Sequence, residues 1–209
     1  MFLLYFVIIF GTTPLLYFLA AKKQYSIKLK AIIPFVTLTF FSSLYELIGT
    51  LTLGWNVSYW FIIYNILSFF CVFYFYYHLL QKQFSKLFLL ILALFFIFSI
   101  FLFINFRIED FFVVCSYLDA FITFFILFFT IIWFRKLIND AHIDNLLDSS
   151  NFYFISGLIL YFCGTLFLFL FANHLYKVDS EMLQSYWALN IILNLILRFL
   201  LLVGLWKAN

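Results

Sequence analysis

Chemistry in this chain rests on a few polar residues set into apolar sequence. Asn190, Asn194 and Arg198 recur every four residues, so on a helix of 3.6 residues per turn they form one slowly drifting polar stripe, with Tyr186 and Trp187 one turn before it. Such a stripe cannot face lipid, where polar and charged side chains cost a few kcal/mol each, at about 2.5–3.5 for the charged ones. Glu46 and Asp119 are the two acids inside other apolar runs, and Asn65 is a further amide. Two acids with amides beside them fit three kinds of chemistry. They can hold a cationic or hydrogen-bonding ligand, relay a proton or cation, or tie helices together through buried polar contacts worth about 0.6–2 kcal/mol each.

The elements that must position these groups are membrane helices. The 209 residues are 67% hydrophobic and 10% charged, with a mean hydropathy of +1.15, far from the ordinary soluble balance. Apolar runs of about 20 residues, the length that crosses a hydrocarbon core, predict an all-α polytopic protein of seven transmembrane helices in a single domain with no soluble domain. The spans fall at about 2–20, 31–53, 57–80, 87–104, 111–134, 152–171 and 182–206. Pro14 predicts a kink in the first. The loop from Gly54 to Asn56 is so short that the second and third spans must be antiparallel neighbours. The fourth has no polar side chain beyond Ser99 and is expected to face lipid nearly all round. Leu137 to Asn151 has the spacing of a short helix lying on the bilayer surface. A short loop, Asn173 to Glu181, leads to the last span. Gly157 and Gly164, one heptad apart, predict close helix packing.

Basic residues set the orientation. Lys22, Lys23, Lys28, Lys30, Lys82, Lys86, Arg135, Lys136 and Lys207 fall on one side, and Arg107 and Lys177 on the other. Positive charge concentrates in cytoplasmic loops, so the N-terminus is expected outside and the C-terminus in the cytoplasm. Counting at about 1.5 Å per residue then puts Glu46, Asn65, Asp119 and Asn190 at one level, roughly 11–12 Å below the outer surface. Arg198 lies about 12 Å deeper than Asn190, so it pairs with the acids only through tilt or a kink, or else snorkels toward the cytoplasmic face.

Several classes are disfavoured. There is no basic patch set in soluble surface, so nucleic acid is not an expected partner. No His-Glu-x-x-His, Gly-x-Ser-x-Gly or phosphate-binding glycine loop occurs, so an enzyme is not expected, nor any catalytic residue. His142 and His174 are placed in loops on opposite sides of the membrane, which argues against a shared metal. His78, among Tyr74, Tyr76 and Tyr77, reads as an interfacial anchor. Cys71, Cys115 and Cys163 lack CxxC spacing and read as packed thiols. The last span has no lysine at mid-depth for a retinal Schiff base, and no cofactor is expected.

In the last two spans, Phe152-Tyr153-Phe154-Ile155-Ser156-Gly157-Leu158-Ile159-Leu160-Tyr161, then Gly164-Thr165-Leu166-Phe167, and Tyr186-Trp187-Ala188-Leu189-Asn190 with Asn194 and Leu205-Trp206 resemble the seven-helix membrane sensor regions of Bacteroidota-type bacteria. Such regions occur fused to histidine kinases or encoded beside their signalling partners. With the chain ending at Asn209, the resemblance implies a sensor half whose output lies in another protein. It carries over no catalytic residue.

The expectation is therefore a bacterial inner-membrane, sensor-like or receptor-like protein with an outward-facing polar pocket. Glu46, Asn65, Asp119, Asn190, Asn194 and Trp187 would line it, and Arg198 would be the countercharge that couples it to the inner half. Its partners would be the lipid bilayer, a signalling protein, and a small-molecule or cation ligand. Two alternatives stay open: a small transporter or proton-coupled carrier, in which the same acids bind a cation in turn, and a structural subunit of a larger membrane complex.

Overall fold

The computed structural model describes residues 2–20, 30–80, 84–107, 110–140, 146–178 and 180–208. Lys22, Lys23, Lys28, Lys82, His142, Ile143 and Asn209 lie outside the described residues. Seven helices follow one another, and no strand occurs among the described residues. They are α1 (Phe2–Ala20), α2 (Ile33–Leu44), α3 (Val57–Leu79), α4 (Ser85–Asn105), α5 (Phe111–Asp140), α6 (Ser150–Val178) and α7 (Ser180–Lys207). α2 runs on into a π-helical segment, Tyr45–Thr52. Six of the helices, α2 with its π segment and α3 to α7, are long and apolar enough to cross a membrane, which makes this a multi-pass membrane protein. α1, nineteen residues long with Pro14 buried within it, packs against α2 and α7.

Local chemistry explains the boundaries. Asn56 caps α3, its Oδ1 accepting from the Ser58 amide at 2.9 Å, which satisfies one of the free donors at the helix start. Gly54, at φ 65°, supplies the left-handed residue that lets the chain reverse between the π segment and α3. α6 and α7 extend well past their apolar stretches. Residues 173–178 and 180–181 are helical where the sequence predicts a loop, so His174 stands on α6. Polarity marks where lipid ends, whereas no glycine or proline there ends the helix itself. The surface helix expected over 137–151 is likewise replaced among the described residues. Residues 137–140 continue α5, and Leu146–Asp148 form a single 3₁₀ turn before α6.

The core is largely aromatic. Lipid tails are as apolar as the side chains, so helices associate through close packing and internal hydrogen bonds. Phe69 of α3 stacks on Phe95 of α4 at 3.6 Å between centroids, and Phe88 of α4 on Phe129 of α5 at 4.3 Å. Through Phe88, Phe95, Ser99 and Leu102, α4 buries one stripe against α3 and α5 and leaves its other faces outward. Tyr76 and Thr130 join α3 to α5 by a hydroxyl–hydroxyl hydrogen bond of 2.7 Å. α6 and α7 pack closely where glycines admit side chains. A Cβ at Gly164 would sit 2.5 Å from Leu193 Cδ1, and one at Gly157 would sit 3.2 Å from Leu200 Cβ.

Candidate functional site

A cavity of about 310 Å³ lies between α2, α3, α6 and α7, in the half of the bundle nearer the turn from the π segment into α3. Ser42 of α2 and Tyr45, Glu46 and Thr50 of the π segment form its first wall. Val57, Trp60, Phe61 and Tyr64 of α3 form the second. The polar stripe of α7 supplies the third: Asn190, Asn194 and Arg198, with Trp187 and Ile191. Tyr161 of α6 closes the space.

The first wall depends on the π segment. Its wider turns are closed by bonds such as Leu53 N to Ile48 O at 3.1 Å, five residues back, rather than the α-helical four. Tyr45 stacks on Trp60 at 4.4 Å and 11°, and the Trp60 indole N–H donates to Ser42 Oγ at 3.3 Å. The Tyr45 hydroxyl donates to the Asn56 carbonyl at 3.2 Å, tying the π segment to the cap of α3. These contacts hold Glu46 on the cavity wall. Its carboxylate makes no hydrogen bond or ion pair among the described residues.

On the α7 wall, the Asn194 amide donates to the Asn190 carbonyl at 3.1 Å and to Asn190 Oδ1 at 3.2 Å, so the stripe is joined along its own helix. Trp187 is fixed by edge contacts to Phe61 at 5.6 Å and Phe169 at 5.8 Å. Arg198 is 3% exposed and does not snorkel. Its guanidinium lies against Gly11 of α1, where a Cβ would strike both it and Ser43 Oγ. It is also close enough to Glu46, Tyr64 and Tyr161 for direct electrostatic coupling. Side-chain direction accounts for a reach that backbone depth alone argues against. Side chains lean toward the N-terminus of their helix, and successive crossings run in opposite directions, so Arg198 on α7 and Glu46 beyond α2 lean toward each other.

Asn65 and Asp119 stand apart from this cavity. Both are buried and neither lines the cavity; Asp119, 1% exposed, lies near Tyr64 and Tyr161. Asp119 lies beside Thr165 of α6, and Asn65 beside Cys115 of α5. Asp119 Oδ2, Asn65 Nδ2 and Ser68 Oγ have no hydrogen-bond partner among the described residues. The structure thus brings Glu46, Asn190, Asn194, Trp187 and Arg198 together and sets Asn65 and Asp119 in a second polar cluster outside the cavity. Tyr45, Trp60, Tyr64, Tyr161 and Gly11 complete the site and are not singled out in the sequence as site residues. Trp60, Phe61 and Tyr64 do share one face of α3 at helical spacing, which is the available signal.

No group of three or more His, Cys, Asp or Glu side chains able to hold a metal occurs among the described residues. Cys71, Cys115 and Cys163 are free thiols packed into the helices. No protein-family model, characterised protein or solved structure matches the chain.

Proposed function

We propose that this is a receptor-like protein of a bacterial inner membrane, with its N-terminus outside, that binds a small molecule in the cavity and signals through a separate partner. The observation that carries the reading is that Glu46 and Arg198, opposite charges from different helices, line one cavity within the apolar span. Charges at that depth are costly, and they mark ligand or ion sites more often than packing. A volume of about 310 Å³ suits a small ligand, and aromatic walls with a few convergent polar groups are the usual make-up of such a site. The sequence resemblance of α6 and α7 to sensor regions supports the same reading. At the opposite end of the bundle, Lys207 Nζ meets Asp148 Oδ1 at 3.2 Å, linking the end of α7 to the turn before α6, where a cytoplasmic partner would read a shift of α7.

A carrier is the second reading, favoured by Asp119, Asn65 and Ser68, whose unpartnered polar atoms extend polarity beyond the cavity. Isolation from native membranes in mild detergent tests the two. A receptor is expected to copurify with a stoichiometric partner and to lose its response on Glu46→Ala. A chain that elutes alone and drives pH-dependent uptake into proteoliposomes would overturn the receptor in favour of the carrier.

A further inference from the structure

We infer that the cavity takes a small zwitterion, a molecule with one ammonium and one carboxylate group joined by a short apolar body. The inference rests on the cavity being a ligand site and adds the chemistry of what fills it.

Glu46 is the first observation. Its carboxylate faces the cavity with no hydrogen bond or ion pair among the described residues. An acid held this way is completed by a cation that brings its own donors. The surrounding walls select the kind of cation. Tyr45 and Trp60, stacked on each other, both line the cavity beside Glu46, and aromatic faces attract ammonium groups. An organic ammonium, which brings an apolar body to lay on these rings as well as its charge, matches that wall.

The α7 wall is the second observation. Arg198 carries a guanidinium, the donor fork that matches a carboxylate, and the Asn194 and Asn190 amides lie one and two turns from it on the same stripe. The two walls carry opposite formal charges in a low-dielectric setting. A net-neutral ligand with separated charges answers both without bringing a net charge into the bundle, which a simple amine or a simple carboxylate would do. Phe61 and Trp187 supply apolar surface between the two walls.

The test uses the full chain in nanodiscs, titrated with an ω-amino acid series from β-alanine to ε-aminocaproate and read by tryptophan fluorescence, since Trp60 and Trp187 line the cavity. Butylamine and butyrate serve as single-charge controls. One member of the series should bind about 10–100-fold tighter than either control, the factor expected of one further charge-assisted contact. Glu46→Gln should abolish that advantage over butyrate, and the thermal midpoint of the variant checks that it is folded. Butylamine or butyrate binding as tightly as the best zwitterion would overturn the inference in favour of a cation or anion site. If no member binds while a partner still copurifies, the zwitterion falls and the receptor stands. If a member binds and no partner is found, the receptor falls and the cavity chemistry stands.

Discussion

Glu46 and Arg198 approach each other across the bundle from helices that cross the membrane in opposite directions, and both side chains lean into the same cavity. Their energetic coupling is expected to be direct. A double-mutant cycle with Glu46→Gln and Arg198→Gln, read by unfolding in bicelles, should return an interaction of about 0.5–3 kcal/mol, the range for residues sharing one electrostatic network. Strict additivity would show that the two charges act separately.

Gly11 is a contact by which α1 reaches the site among the described residues. A Cβ there would press on Ser43 and on the guanidinium of Arg198, and Arg198 is the flexible partner of the two. Gly11→Ala should therefore displace the guanidinium and weaken ligand binding by about tenfold, while costing no more than the roughly 1–3 kcal/mol of ordinary overpacking. Unchanged binding in a folded variant would detach α1 from the site.

Tyr76 and Thr130 provide a contact with no part in the cavity. Tyr76→Phe removes the 2.7 Å hydroxyl pair and should destabilise the protein by about 0.6–2 kcal/mol, as measured for polar contacts between membrane helices, with binding unaltered. A loss of binding without a loss of stability would point to long-range coupling between the Tyr76–Thr130 contact and the site.

Gly164→Ala tests the α6–α7 seam. The added methyl falls 2.5 Å from Leu193 Cδ1, so Leu193 must move, and a cost of about 1–3 kcal/mol is expected in a thermal-unfolding measurement. Pairing it with Leu193→Ala should recover part of that loss, because the truncated side chain leaves room for the methyl.

The orientation proposed from the basic residues has its own test. A reporter fused after Asn209 should be cytoplasmic, and a cysteine placed at Asn56 should be labelled from outside by an impermeant reagent. The reverse pattern would turn the cavity toward the cytoplasm.

Comparing sequence with structure separates two kinds of information. The span of α3 is readable almost to the residue, since Asn56 caps it and apolar sequence fills it. The α7 stripe is readable because four-residue spacing fixes one face of a helix. Rotation about each helix axis is not readable. Tyr64 and Asn65 are neighbours at one level, about 100° apart around α3, and it is Tyr64 that lines the cavity. Counting residues from the membrane surface cannot make that choice. The same limit applies to Asp119, which lies near the tyrosines and does not line the cavity. The π segment leaves no mark in Tyr45–Thr52, where nothing forbids an ordinary α-helix, and only backbone hydrogen bonds such as Leu53 N to Ile48 O reveal it. With 26% of the chain aromatic, Tyr45, Trp60 and Tyr161 do not stand out by type.

The stacking of Phe95 on Phe69 and of Phe88 on Phe129 gives α4 a distinctive place in the life of the molecule. Its grip on the bundle is a matter of ring shape, because in lipid a leucine on its outer side is as comfortable as one within. α4 is thus free to drift in sequence on its outward side while positions 88 and 95 are held to flat rings. It is also the flank on which a neighbouring membrane protein could be exchanged for lipid without disturbing the cavity on the other side.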